Sequence, residues 1–439
     1  MRLMKWFVYN ILFAIGYTLM MPVFIARMRK RGGYKADFAQ RLGRFSPETA
    51  KKLAEKPRIW VHAVSVGEAN LAGAVLHELR QRRPKESFII STTSSTGRAV
   101  CDQLAAPDDI VIYLPVDFPH IIRRALKTIN AKALVLTESE FWPNLIRILK
   151  RRRVPIILVN GRISDRSAPR YRKLRGFFSE IFSCFSVLLV QSKIDRERLL
   201  AAGAPDARIK VMGSVKFDVP PLAETARSIA EQTLSGAGIN TNTDLILLGG
   251  STWPGEERAL AETWRKARHA TPNLRLVLVP RHMERGDEIE DELTTAGFTC
   301  LRRSRMKTGT EHVKPTNDTI LMVDTTGELF ALYATADIVF IGKTLPPNRG
   351  GQNMIEPAAF GKPVLCGPHT ENFTAVMACF RADQAILEVA DTSALESAIA
   401  ALLGDVATRH ALGKRAKTVV DRERGALIRS TQLILAEIP

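Results

Sequence analysis

What this chain lacks narrows its chemistry first. Its five cysteines, Cys101, Cys184, Cys300, Cys366 and Cys379, are scattered and odd in number, and no C-x-x-C occurs. A disulfide framework and a structural zinc site are therefore unsupported, and a reducing cytosol is the simpler setting. No G-x-G-x-x-G is present, which disfavours NAD. No G-x-x-x-x-G-K-[ST] is present either, which disfavours P-loop phosphoryl transfer. Acidic residues are also short: 45 Asp and Glu stand against 63 Lys and Arg, for a net charge of +18. A balance this basic points to an anionic partner, whether nucleic acid, an acidic membrane face or a phosphorylated substrate.

A chain of 439 residues, 46% hydrophobic, is too long for one core and suits two domains. Residues 6–26 carry no charge. About 20 apolar residues can span a bilayer, and the run lacks the short core and small-residue cleavage site of a secretory signal. Arg27, Arg29, Lys30, Arg31 and Lys35 follow it, against Arg2 and Lys5 before it, which places the remainder on the cytoplasmic side. A buried or interfacial helix is the alternative. Either form brings a basic body to anionic lipid.

Beyond this segment, apolar β-branched runs alternate with stretches of helical period. They fall at 59–64, 88–92, 110–114, 133–136, 156–159, 187–190 and 209–212, and again at 245–248, 274–279, 319–323, 338–341 and 363–366. Such alternation predicts βαβ units on mainly parallel sheets. The pattern pauses near 218–238. The expected division is an anchor over 1–30, a Rossmann-like domain over 31–215, a linker over 216–240 and a second Rossmann-like domain over 241–439 that ends in a helix. Residues 308–317 read as a surface loop.

In open α/β sheets, ligands bind beyond the carboxyl ends of strands, and the distinctive residues fall there. Ser65-Val66-Gly67-Glu68 follows the run 59–64. Gly67 is expected to let the chain turn sharply. Glu68 then lies in the first helical turn, either to deprotonate an acceptor hydroxyl or as an acidic residue favoured by a helix N-terminus. Glu138-Ser139-Glu140 either sends one carboxylate to the reactants or caps the next helix, with Trp142-Pro143 as a rigid wall. Lys216 lies at the hinge, to meet a negative ligand group or as a solvated linker residue.

In the second half, residues 249–252, Pro280-Arg281-His282 and Thr326-Gly327-Glu328 put Gly and hydroxyl residues where helices open. Free N–H groups there bind phosphate, and Arg281 adds a bidentate charged contact. Gly350-Gly351 permits close approach of a ligand. Asn353 and Glu356 share a helix face, where a carboxylate can accept ribose hydroxyls. No D-x-D occurs. Its absence suits a two-domain, metal-independent transferase, which stabilises its leaving group with helix N-termini and Arg or Lys.

The segments HAVSVGE (62–68), LTESEFWPN (136–144), GSVKFD (213–218), VPRHMER (279–285), DTTGEL (324–329), NMIEP (353–357) and GPHTENF (367–373) occur in that order. Together they resemble the 3-deoxy-D-manno-octulosonic acid (Kdo) transferases of Gram-negative bacteria. The resemblance implies an α/β architecture of GT-B type, with two Rossmann-like domains whose parallel sheets face a cleft, plus an N-terminal membrane-anchor helix. It implies transfer of Kdo from CMP-Kdo to an anionic lipid A precursor, lipid IVA. The reaction inverts the anomeric carbon at the cytoplasmic face of the inner membrane, with no metal, no cofactor and no nucleic-acid partner. It further implies Glu68 as general base and Glu138 and Lys216 as transition-state stabilisers. CMP contacts are implied for Pro280, Arg281, Thr326, Gly327, Glu328, Asn353, Met354, Ile355 and Glu356.

The sequence departs from the family at Gln40, where Glu is usual, and at Gln352, where His is usual. It departs also at Gly342-Lys343-Thr344 and in an extra loop, Pro346-Pro347-Asn348. Two rivals remain. One is a GT-B enzyme with another donor, such as a UDP-sugar. The other is a basic, membrane-tethered binding protein without turnover, which would show steep salt dependence. Competition separates the donors: CMP should displace bound donor at lower concentration than UDP, and the reverse order would favour the first rival.

Overall fold

Apolar runs become strands here because helices cover both faces of each sheet, so the strands are buried almost end to end, save the edge strands at 209–211 and 387–388. The computed structural model describes residues 2–31, 37–219, 225–309 and 314–439. Lys35, the side chains of Arg27, Arg29, Lys30 and Arg31, part of the expected linker (220–224) and part of the expected loop (310–313) lie outside the described residues.

Among the described residues there are two seven-stranded sheets. The first contains β1 (Arg58–His62), β2 (Phe88–Thr92), β3 (Ile110–Tyr113), β4 (Ala131–Thr137), β5 (Ile156–Gly161), β6 (Val187–Val190) and β7 (Ile209–Val211). Their order is β3-β2-β1-β4-β5-β6-β7. The second contains β8 (Leu245–Thr252), β9 (Leu274–Pro280), β10 (Thr299–Arg302), β11 (Thr319–Met322), β12 (Ile338–Ile341), β13 (Val364–Cys366) and β14 (Leu387–Glu388). Their order is β10-β11-β9-β8-β12-β13-β14. Every pairing is parallel. The two Rossmann-like domains expected from the alternation are present.

The chain divides into one unit of Met1–Val215 with Gly425–Pro439 and a second of Lys216–Arg424. This differs from the sequence expectation in two places. Much of the expected linker is the helix Ala226–Gly236, whose Ala226, Ala230 and Leu234 are buried in the second unit's core. The last helix, Ala426–Glu437, belongs to the first unit rather than the second. Ile434 and, just past the helix end, Ile438 close a core against Ala69, Ala72, Val75 and Leu76 of the helix Val66–Arg82.

The N-terminal helix Arg2–Arg31 is apolar on both faces, and only one of them is covered. Its stretch Met4–Ala26 is long and apolar enough to cross a membrane. Phe7, Leu12, Ile15 and Leu19 face outward, whereas Trp6, Tyr9, Phe13 and Tyr17 form a ladder of rings along the inner side. Phe177 meets the first two rings, and Phe118 meets the last two. Polar ties fix the register. Tyr9 Oη donates to Asp117 Oδ2 at 3.0 Å, Trp6 Nε1 donates to Glu180 Oε2 at 3.1 Å, and Asn144 Nδ2 donates to Asn10 Oδ1 at 2.8 Å.

Asp117 is the hub of this attachment. The helix Pro143–Arg151 has no side-chain cap of its own at Trp142. Asp117 supplies one from afar, accepting the N–H groups of Asn144 at 2.9 Å and Leu145 at 2.8 Å. Burial pushes its carboxyl up to about 7, against the pull of these donors. Asp117→Ala strips three donors of their acceptor and should cost about 3 kcal/mol of stability in denaturant unfolding of the detergent-solubilised chain. A loss under about 0.5 kcal/mol would contradict this capping role.

Candidate active site

Strand order reverses beside β1. The chain runs outward through β2 and β3, then returns to lay β4 on the other side of β1. The carboxyl edge at such a reversal is the crevice where open α/β sheets take ligands. The segments carrying Glu68 and Glu138 leave these two strands, whose register pairs His62 with Leu136.

Ser65 caps the helix Val66–Arg82, its Oγ accepting from Glu68 N at 3.3 Å. The Glu68 side chain folds back so that Oε2 accepts Val64 N–H at 2.9 Å, a variant of the reciprocal capping box. Thr137 Oγ1, at the end of β4, lies 3.3 Å from the same oxygen, and Ser65 Oγ donates to Oε1 at 3.2 Å. A carboxylate offers about four acceptor positions, so one on Oε1 is left for a substrate hydroxyl. Glu68 is therefore a helix-terminus acid that is half-buried yet keeps one acceptor position open. Burial raises its pKa, the Glu138 charge raises it further, and the hydrogen bonds from Val64, Ser65 and Thr137 oppose the rise.

Gly67 does not serve as expected. Its φ is not positive, and a Cβ there would meet only Ser65 Oγ, at 3.9 Å. The turn is made by the cap at Ser65, and Gly67 leaves the approach to Glu68 open. Glu138 makes the sharp turn at the other strand, with φ 52°. Strand alternation stops there, so the two acids of Glu138-Ser139-Glu140 part. Glu138 Oε2 accepts from Arg162 Nε at 2.8 Å, a pairing between the ends of β4 and β5 that the spacing of the two residues does not announce. Glu140 turns toward an apolar cavity, and burial beside the Glu68 charge pushes it up to about 8. His62 is no competing base: it is sealed in β1, with Nδ1 2.8 Å from Ser91 Oγ, and burial pushes its pKa down to about 4.

In the second unit the reversal lies between β8 and β12. Residues 249–252 complete β8 rather than open the helix that follows it, contrary to expectation. The first turn of that helix holds Glu256 and Glu257, both buried. Glu256 accepts N–H groups from Trp253 at 2.9 Å, Lys343 at 2.8 Å, Thr344 at 2.9 Å and Leu345 at 3.0 Å, and so ties the turns after β8 and β12 together. Four donors pull its pKa down, but burial dominates and raises it.

Pro280 ends β9, and Arg281, held by its N–H to Thr252 O at 3.1 Å, presents an exposed guanidinium. Thr326 and Gly327 are exposed after β11. Glu328 is engaged by Thr325 Oγ1 at 2.5 Å, Thr233 Oγ1 at 3.0 Å and Arg303 Nε at 3.0 Å. Asn353 Nδ2 donates to Glu356 Oε1 at 2.9 Å while Asn353 Oδ1 caps Ile355 N at 3.0 Å. Met354 and Ile355 bury their side chains completely, so any part they play is through the main chain. Lys216 Nζ donates to Asn372 O at 3.0 Å and lies 4.4 Å from the Phe373 ring centroid. Glu68 and Glu138 thus gather in the first unit, and the remaining candidates belong to the second.

Comparison with known proteins follows the same lines. The family described as "3-Deoxy-D-manno-octulosonic-acid transferase (kdotransferase)" matches residues 36–219. A 3-deoxy-D-manno-octulosonic acid transferase of Haemophilus influenzae is 33% identical over 89% of this chain and 92% of its own length. One of Bordetella pertussis is 34% identical over 92% of each. Among solved structures, the UDP-GlcNAc 2-epimerase of Neisseria meningitidis superposes with a TM-score of 0.57 at 14% identity, over 87% of this chain and 99% of that one. A glycosyltransferase of Rickettsia africae gives 0.56 at 13%, over 87% and 98%. These structural likenesses establish the GT-B-like fold.

Glu256→Gln should destabilise the second unit by about 2–3 kcal/mol, because one amide oxygen replaces a carboxylate facing four N–H donors. Denaturant unfolding followed by Trp253 and Trp264 fluorescence checks this. An unchanged midpoint would refute the tie between the two turns.

Proposed function

We propose that this chain, which belongs to the family of 3-deoxy-D-manno-octulosonic acid transferases, moves Kdo from CMP-Kdo to a hydroxyl of an anionic lipid A precursor, lipid IVA, with inversion. The observation that carries the reading is the half-buried Glu68 at the first sheet's reversal, with an acceptor position left on Oε1 and its pKa raised. A sugar hydroxyl titrates far above neutrality, so it attacks well only if a base takes its proton as the new C–O bond forms. Glu68 receives that proton. The anomeric carbon exchanges its bond to the CMP phosphate oxygen for one to the acceptor oxygen. A single displacement of this kind inverts the centre.

Charge develops on the departing phosphate and is already present on the Kdo carboxylate. In this reading Arg281 meets the nucleotide phosphate, Asn353 and Glu356 hold the ribose, and Lys216 stabilises negative charge near the reacting carbon. Glu138, paired with Arg162 at 2.8 Å, faces the positive character that builds on the sugar. Backbone groups of Pro280, Thr326 and Gly327 complete the nucleotide side. The N-terminal helix holds the enzyme on the cytoplasmic face of the inner membrane, where the net charge of +18 suits an acidic surface and a phosphorylated acceptor.

Glu68→Gln should leave folding and CMP binding intact and reduce turnover by at least about 10³-fold, near the middle of the range for loss of a general base. Release of CMP and formation of Kdo-lipid from CMP-Kdo and lipid IVA is the assay. Turnover within tenfold of wild type would reject the base assignment. The pH profile gives a second check. Only ionised Glu68 accepts a proton, so kcat/KM should rise with pH through a pKa above the ordinary carboxylate range. Glu138→Gln removes a like charge and should move that limb to lower pH, whatever the height of the profile. A limb that stays in place would show that the two carboxylates do not interact.

A further inference from the structure

A cavity of 450 Å³ lies between the second half of the N-terminal helix and the strand ends of the first sheet. Its size falls among ligand-binding pockets. Tyr17, Met21 and Phe24 line it from the helix, and Leu114 and Trp142 face them. Its charged lining groups are Arg41 and Glu140. Three observations bear on its occupant.

One wall is the helix that exposes Phe7, Leu12 and Leu19, and two of its exposed residues, Met20 and Val23, also line the cavity, so the cavity borders the surface that an apolar chain in a bilayer would meet. Arg41 is only 6% exposed, with its guanidinium 3.9 Å from the Tyr113 ring centroid and 5.5 Å from that of Phe24. Among the described residues no carboxylate forms an ion pair with it, and such a buried cation is costly until an anion arrives. Finally, the cavity reaches Val64, whose N–H holds Glu68, so its inner end adjoins the candidate base.

Apolar walls, lateral access from a membrane and an unmatched buried cation together describe an anionic lipid. We infer that the cavity holds one acyl chain of the lipid acceptor, with Arg41 pairing with a phosphate of the same molecule. This rests on the transferase reading above and adds a specificity element to it: the enzyme would recognise its acceptor by the lipid tail as well as by the sugar.

Two measurements test it, one independent of turnover. The detergent-solubilised full chain is titrated with phosphatidic acid carrying brominated stearoyl chains, with phosphatidylcholine carrying the same chains, and with inorganic phosphate. The readout is the fluorescence difference between wild type and Trp142→Phe. Phosphatidic acid should quench the Trp142 component at least tenfold more effectively than phosphatidylcholine, and phosphate alone should do nothing. Arg41→Gln should abolish the preference. Met20→Trp, which fills the cavity from an exposed position, should abolish the quenching of the Trp142 component, read as the difference between Met20→Trp and Met20→Trp/Trp142→Phe so that the added indole cancels.

The second measurement is Kdo transfer to acylated and to acyl-free acceptor. Met20→Trp should raise KM at least tenfold for the acylated acceptor and leave KM for CMP-Kdo and for the acyl-free acceptor unchanged. Absence of Trp142 quenching in wild type, equal quenching in Met20→Trp, or equal effects on both acceptors would overturn the assignment. If wild type quenches as expected but transfers no Kdo, the transferase reading fails and the lipid site stands.

Discussion

The structure depends on one topological constraint. A parallel sheet that grows in both directions from its first strand leaves an edge that no crossover helix closes. In the first unit that edge lies between β1 and β4. Both strands end in polar turns there, and the two turns hold each other: Thr137 Oγ1 donates to His62 O at 3.0 Å and approaches Glu68. The carboxylate proposed as base is thus positioned by the elements that stabilise the fold, the cap of one helix and the end of the neighbouring strand. Its raised pKa follows from the same placement, because the cap draws it partly out of water beside a second acid.

The second unit applies the constraint differently. Its reversal is closed by Glu256, whose carboxylate replaces solvent for four backbone donors. The turns after β8 and β12 are therefore rigid from within; Arg281, Thr326 and Gly327 are left exposed, and Asn353 and Glu356 half-buried. Of the motif's residues, Met354 and Ile355 anchor the segment in the core while Asn353 orients Glu356.

Much of this was legible in the sequence, because the relevant signals are local. Strands buried on both faces read as apolar runs, and twelve of them fall where structure puts β1 to β9 and β11 to β13. β10 and β14 escaped notice because they are short and half polar: Thr299 and Arg302 bound the one, and Glu388 is half of the other. What the sequence does not carry is long-range partnership. An amphipathic helix such as Ala426–Glu437 does not state which of two cores it completes. Asp117 caps a helix that begins at Pro143, and Glu256 holds a turn near residue 344, through contacts that no spacing rule anticipates. Glu68, Glu138 and Arg281 could be named from their positions at strand ends. Arg162 also stands at a strand end, but its pairing with Glu138 appears only once β4 and β5 lie side by side.

The central claim is that Glu68 takes a proton from the acceptor hydroxyl, and chemical rescue tests it most directly. In Glu68→Ala, which keeps the helix but removes the carboxylate, Kdo transfer should fall to background, and added formate should restore it with saturation as a small carboxylate fills the vacated position. Transfer by Glu68→Ala within tenfold of wild type, without formate, would contradict the account.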